Sequence, residues 1–337
     1  MLPSEPVAKQ VLMELRELIP FTASALVTGD SKEADFAKYN LLVGTTALLH
    51  RKLGGHIDLS IIDEQHKSSV SQREVLATPQ THTLEVSATP MPRSMALATY
   101  GAVEVLTLKH AHTPKEITTR IVRIDQADWL FNEVKDTVRR GAKVLIVCPR
   151  RSDLNAKDKT TFSAETIANA MHSHFPGRVR MVHSEQTAQE SEASLTDIKE
   201  GRAAILVATT RVEVGITIPE LRHVILYGAE RFGLTTSHQI RGRLARIAPR
   251  DGGVNWGKCD LFLPNDKVND KTLQRLQILV DSNDGFEISE KDMLLRGVGD
   301  IEASKDRQHG RTASLIKNVK LPHESIGVAV DFLANRT

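Results

Sequence analysis

The sequence predicts an α/β protein built on parallel sheets, arranged as two domains followed by a small helical appendage. Three observations carry that expectation. Short apolar runs alternate with stretches of helical periodicity, the pattern of strand–helix–strand crossovers. The chain has 337 residues, enough for two separately buried cores. A second set of strand-like runs begins near Asp125, and the polar segment Asn265–Thr272 reads as a linker.

In chain order, Val7, Val11, Leu15 and Leu18 fall on one helical stripe, and Pro20 follows as a stop signal. Ser24–Thr28, Leu41–Val43, Leu59–Ile62 and Thr83–Val86 read as strands of the first domain. Val144–Val147, Val179–Val182, Ala204–Val207 and Val224–Tyr227 read as strands of the second, with helical stretches between them. Residues 151–163 are polar and aperiodic, as in a surface loop. Leu273–Val280 and Glu290–Arg296 suggest the helices of the appendage. No repeat of fixed period runs through the chain.

A formal net charge of +2 does not by itself argue for nucleic acid, so any such contact must come from local basic patches. The two cysteines, Cys148 and Cys259, stand far apart in apolar runs. Their spacing makes no metal site, and so low a count suits a reducing cytosol. The sequence has no apolar stretch of spanning length and no signal-peptide pattern at its N-terminus. A soluble, cytoplasmic chain with no membrane partner is expected.

The strongest chemical signal is Leu59-Ser-Ile-Ile-Asp-Glu-Gln-His66, a buried strand ending in two carboxylates. In open α/β sheets ligands bind beyond the C-terminal ends of the strands. One carboxylate there can hold Mg²⁺ through water while its neighbour orients an attacking water for phosphoryl transfer. Asp63 takes the first role in this reading and Glu64 the second. A solvated acidic turn is the plain alternative, since short motifs arise by accident. Three further runs weigh against it. Ser87-Ala-Thr-Pro-Met-Pro-Arg93 follows the next strand, and Val207-Ala-Thr-Thr-Arg-Val-Glu-Val-Gly-Ile216 leads another strand into a small-residue turn. His238-Gln-Ile-Arg-Gly-Arg-Leu-Ala-Arg246 packs arginines around a glycine, and arginine's planar, permanent charge suits phosphate oxygens. His110 and His112 could share a strand face as metal ligands, but they lack an evident partner and read as exposed histidines. Trp129 and Trp256 could stack on bases, although packing at a domain edge is the commoner use.

The order Asp-Glu-Gln-His, Ser-Ala-Thr-Pro, Val-Ala-Thr-Thr and Gln-x-Arg-Gly-Arg resembles motifs II, III, V and VI of superfamily 2 helicases. Within that superfamily the chain resembles the RecG family. Met1-Leu-Pro-Ser-Glu-Pro-Val-Ala-Lys-Gln10 is similar to its motif Ia, and Val43-Gly-Thr-Thr-Ala-Leu-Leu49 to its motif Ib. Thr89-Pro-Met-Pro-Arg93, Arg275–Phe286 and Lys291–Asp300 resemble further RecG segments. The resemblance runs from Met1 to about Arg311. It implies two RecA-like domains, residues 1–124 (incomplete) and 125–264, and a helical translocation region at 265–337. The implied cofactors are ATP and Mg²⁺, and the implied partner is branched or double-stranded DNA, remodelled by a monomeric motor.

By matching position, Asp63, Glu64, Gln239, Arg243 and Arg246 are the catalytic candidates. Arg243 and Arg246 are the arginine-finger candidates, and Gly215 joins the candidate nucleotide contacts. Thr45, His66, Ser87, Thr89, Arg93, Thr209, Thr210, Arg275, Arg296 and Gln308 are candidates for DNA contact or coupling. Several departures stand out. No Gly-x-x-x-x-Gly-Lys-[Ser/Thr] run occurs, so the phosphate cradle is missing from these residues. The family's N-terminal wedge domain is missing as well. A separate N-terminal fragment carrying the cradle is therefore a possible partner, and the chain alone is expected to lack hydrolysis. Thr217 replaces the usual Asp, Ala245 the usual Gly, and Ser184 a glycine. Lys67-Ser-Ser69 replaces Arg-Phe-Gly, and Glu302–Arg307 are altered too. Two other readings stay open: a non-catalytic DNA- or partner-binding module, and the related motor of a transcription-repair coupling factor.

Overall fold

The computed structural model describes residues 1–31, 35–64, 75–76, 78, 80–87, 106, 108, 114–150, 163–183, 185–209, 217–248 and 253–296. The described residues fall into two compact units, the second of which spans Thr107–Ile288.

The first unit opens with helix α1 (Glu5–Leu18). Pro6 sits in its first turn, where a missing N–H costs nothing, with Glu5 at the positive and Arg16 at the negative end of the helix dipole. Ala8 and Leu12 are buried and pack with Val43. Strands β1 (Ser24–Val27) and β2 (Leu41–Gly44) form one parallel pair. β3 (Leu59–Asp63) and β4 (His82–Val86) form another. The backbone of the first two residues runs between the pairs. The Met1 amino group donates to Ile61 O at 2.6 Å, Asp63 N to Met1 O at 3.0 Å, and Leu2 N to Gly44 O at 2.8 Å. Gly44 must lack a side chain, because a Cβ there would stand 2.1 Å from Val27 O. A second small core gathers Ala25, Val27, Phe36 and Leu48.

The second unit holds one six-stranded sheet, all parallel, in the order β5-β10-β9-β6-β8-β7. Its strands are β5 (Glu116–Arg123), β6 (Lys143–Cys148), β7 (Val179–Val182), β8 (Ile205–Thr209), β9 (Leu221–Tyr227) and β10 (Trp256–Leu263). Four helices connect them: α2 (Ala127–Arg139), α3 (Ala164–His174), α4 (Ala188–Lys199) and α5 (Leu234–Arg241). Ser163 caps α3, and Thr187 with Glu190 forms a capping box on α4. Both faces of the sheet are covered, as a parallel sheet requires. Along β6, Leu145 and Val147 enter one apolar cluster while Val144, Ile146 and Cys148 enter the other. Period-two alternation thus feeds two cores at once.

Sequence reading missed two strands of this sheet. β5 pairs with β10 along its full length, so the expected domain boundary at 124/125 falls after a strand of the second sheet. The reason is a polar seam. On β5, β10 and β9, Arg120, Asp260 and His223 interlock, with Asp260 and His223 both 0 % exposed. Arg120 donates to Asp260 at 2.8 and 3.0 Å, and His223 Nε2 lies 2.6 Å from the same carboxylate. Glu133 of α2 adds contacts to Arg120 and Lys258. Burial works against the Asp260 anion, but these partners hold its carboxyl below the usual range.

Helix α6 (Asp270–Asp281), capped by Asn269, packs on β5 and α5 and contributes Leu276 and Leu279 to the main core. The expected helix at Leu273–Val280 is therefore part of the second unit. α7 (Gly285–Arg296) follows, with Asp284 Oδ1 accepting from Phe286 N. Among the described residues no helix is long and apolar enough to cross a membrane.

Candidate nucleotide and nucleic-acid site

In the first unit the candidate residues stand where parallel strands end. Asp63 closes β3, Glu64 follows it, and Ser87 follows β4. Glu64 N donates to Val86 O at 2.9 Å and to Asp63 Oδ1 at 2.9 Å, latching the carboxylate turn to the end of β4. Glu64 sits at φ 52°, a left-handed conformation that side chains disfavour. Such strain recurs at functional sites. Desolvation raises the Asp63 pKa, opposed by the Glu64 N–H and by the positive amino group of Met1.

Thr45 stands at the end of β2, where its N–H donates to Val27 O at 3.1 Å and its hydroxyl caps the following 3-10 turn Thr46–His50. With Gly29, Thr46, Ala47, His50 and Arg51 it lines an open cavity of about 370 Å³. Arg51 helps shape that cavity by donating to Gly29 O and Ser31 O.

In the second unit Thr209 is the last residue of β8 and is buried. Gln239 lies on α5, and Arg243 and Arg246 lie on the turn that follows Gly242. Arg243 is 8 % exposed, whereas Arg246 is exposed and donates through Nε to Gly242 O at 3.3 Å. The turn lies beside the strand starts, since Ala245 N donates to Leu221 O at 3.1 Å. Ala245 adopts φ 53°, which explains why a glycine is usual there in the resembled family. Arg241 is buried and donates to Thr119, to His238 and to Leu279 O. Burial, then the charges of Arg241 and Lys115, lowers the His238 pKa to about 4. Arg275 on α6 donates to Glu230 O at 2.7 Å, which ties that helix to the segment before α5.

Arg296 ends α7. His66, Thr89, Arg93, Thr210, Gly215 and Gln308 lie outside the described residues, as do His110 and His112. Trp129 packs its ring under the Arg120 guanidinium, 4.5 Å away, and Trp256 has Lys258 5.5 Å from its ring. Lys115, Arg222 and Asn255, which grip the arginine turn, escaped sequence reading because they belong to no periodic run. Among the described residues no group of three or more His, Cys, Asp or Glu could hold a metal ion. A lone carboxylate such as Asp63 nevertheless suits Mg²⁺, which commonly keeps its waters and takes its other ligands from a bound phosphate.

Comparison with known proteins bears on the fold and the family. Residues 125–248 match the family model described as the helicase conserved C-terminal domain. The ATP-dependent DNA helicase RecG of Staphylococcus epidermidis is 29 % identical over 345 residues, covering 98 % of this chain and 49 % of that protein. RecG of Thermotoga maritima is 34 % identical over 293 residues, covering 84 % of this chain and 36 % of that protein. A structure of RecG bound to a three-way DNA junction shares the fold, with a TM-score of 0.65 at 24 % identity over 99 % of this chain and 43 % of that one. The Mycobacterium smegmatis helicase Lhr, bound to single-stranded DNA and AMP-PNP, has a TM-score of 0.55 at 18 % identity, over 82 % of this chain and 41 % of that one. Fold and motif order together define the chain as superfamily 2 helicase material with RecA-like parallel-sheet domains. Within that class it is RecG-like, and it spans 49 % and 36 % of the length of the two RecG relatives named above.

Proposed function

We propose that this chain is the motor portion of a RecG-type helicase, coupling ATP hydrolysis to movement on double-stranded or branched DNA. The observation that supports this best is the latch at the strand ends, where Glu64 N reaches Val86 O and holds the turn that carries both carboxylates at the end of β4, which Ser87 follows. In this reading Asp63 holds Mg²⁺ through water and Glu64 orients the attacking water. Gln239, Arg243 and Arg246 reach the nucleotide, which supplies the phosphoryl group. Thr45, Ser87, Thr209 and the cavity around Arg51 serve DNA contact or coupling. His66, Thr89, Arg93, Thr210, Gly215, Arg296 and Gln308 keep the roles their motif positions imply. The protein works as a cytoplasmic monomer on stalled forks and junctions, in recombination and repair.

The sequence contains no Gly-x-x-x-x-Gly-Lys-[Ser/Thr] run, so in this reading the phosphate cradle is supplied by polypeptide outside these 337 residues. Hydrolysis by the chain alone is expected at background level. Adding a cradle-bearing N-terminal segment from a RecG relative should give DNA-stimulated turnover that Glu64→Gln abolishes. Turnover by the chain alone would overturn the requirement for a supplied cradle. Its absence in the mixture, despite stable association, would count against the motor reading. The same missing run supports a second reading, a DNA-binding module without hydrolysis. DNA affinity that falls steeply with salt and ignores added nucleotide would favour that reading.

A further inference from the structure

We infer that Lys115 and Asn255 are positioning residues that hold the arginine-bearing turn 242–247 in one conformation by gripping its backbone carbonyls. The inference rests on the reading of Arg243 and Arg246 as nucleotide-facing residues. Where α5 ends at Arg241, the carbonyls beyond it have lost their helical partners and must find others. Arg246 Nε reaches one of them, Gly242 O, from within the turn, and side chains from outside it reach four, that one included. Lys115 Nζ lies 3.3 Å from Gly242 O and 3.2 Å from Leu244 O. Asn255 Nδ2 donates to Ala245 O at 2.8 Å and to Pro114 O at 3.2 Å, which fastens the segment carrying Lys115 to the same point.

Arg222 completes the grip. Its Nη1 donates to Asn255 Oδ1 and its Nη2 to Ile247 O at 3.4 Å. Asn255 is 7 % exposed and Arg222 only 3 %, so both are fixed by their surroundings. The three residues precede or begin β5, β9 and β10, neighbours in the rigid sheet. The turn is therefore referenced to the sheet at four carbonyls, which fixes the backbone that carries Arg243 and Arg246. An arginine finger needs that base, because a displacement of about 1 Å at a reacting centre can cost about a hundredfold in rate.

Fingers that meet the terminal phosphate distinguish ATP from ADP, and the ratio of the two affinities reports their placement. The experiment is displacement of a fluorescent nucleotide by ATP or ADP, with Mg²⁺ present, from the full chain associated with the cradle-bearing N-terminal segment of a RecG relative. Arg243→Ala should bring the ATP-to-ADP affinity ratio close to one. Lys115→Ala and Asn255→Ala should each lower the ratio by about threefold or more, the worth of a lost hydrogen bond, with ADP affinity nearly unchanged. Lys115→Arg, which keeps a donor for both carbonyls, should restore the ratio. Should Asn255→Ala fail to fold, Lys115→Ala still decides, because Lys115 lies at the surface. An unchanged ratio in Lys115→Ala, when Arg243→Ala has lost it, overturns the inference and leaves the motor reading intact. An equal fall in ATP and ADP affinity also overturns it, since that marks general loss of structure. No change in Arg243→Ala removes the motor reading and the inference together.

Discussion

The two units build their site residues on unequal foundations. The second has six strands in one sheet with both faces covered, and Val207, Val224, Leu226 and Leu261 are fully buried. Among the described residues the first divides four strands into two pairs, and on β3 and β4 the apolar Leu59, Ile61, Leu84 and Val86 remain 43–55 % exposed. Both nonetheless end strands at candidate residues. Placing a side chain at a strand terminus needs only the local pairing, whereas stability needs area removed from water. The arginine turn thus rests on a deep core and the paired carboxylates on a shallow one.

The contrast can be tested most severely at the polar seam. Asp260→Ala leaves Arg120 and His223 without their shared partner, and should cost the second unit about 3–5 kcal/mol. Chemical denaturation should register the loss, and a cost below about 1 kcal/mol would mean that water replaces the carboxylate. The wild-type seam also predicts an acid limit. Because the folded Asp260 pKa lies below its ordinary 3.8, its contribution is present above 3.8 and lost as pH falls through the folded value.

Hydrogen exchange addresses the contrast directly. Amides of β6 and β8 should exchange at least about 100-fold more slowly than those of β3, because opening the first unit exposes less buried surface. Equal protection at Ile62 and Ile146 would abolish the distinction. A smaller effect concerns His238. Unfolded, it takes a proton near pH 6.5, but in the fold not until about 4. The stability it contributes is complete above 6.5 and drains away between 6.5 and about 4, by roughly 1–3 kcal/mol. His238→Asn, which can still accept from Arg241, should flatten that part of the pH–stability curve. A wild-type curve already flat over this range would refute the assignment. The smallest effect is a gain. Ala245→Gly relieves a left-handed alanine and should raise stability by about 0.5–1 kcal/mol, after the greater freedom of unfolded glycine is subtracted. A loss on denaturant titration would show that the turn tolerates alanine better than its φ of 53° suggests.

How far the sequence could be read follows the same division between apolar and polar strands. Leu59–Asp63, Lys143–Cys148 and Ile205–Thr209 announce themselves as apolar runs, and the motif order at their ends was legible with them. β5 and β10 did not. Glu116–Arg123 carries threonines and arginines, and Trp256–Leu263 is interrupted by Gly257, Lys258 and Asp260. Their polar residues satisfy one another across neighbouring strands, a pairing invisible until the fold brings them together. Lys115 and Asn255 were hidden for a related reason. Lys115 acts on Leu244 O and Asn255 on Pro114 O, backbone oxygens far along the chain, which no spacing rule records. The carboxylates were found by chemistry and the left-handed Glu64 was not, since nothing in Asp-Glu-Gln-His encodes a backbone angle.

That angle bears on how this protein should be engineered. At φ 52° a glycine or asparagine would suit position 64 better than glutamate does. A stability-guided redesign would therefore replace the residue proposed to activate water. The hardened variant would melt later and, once a cradle-bearing segment is supplied, is expected to turn over less. Position 64 should be held fixed in any thermostabilised library, and in a selection scored on folding alone its glutamate should be among the first residues to drift.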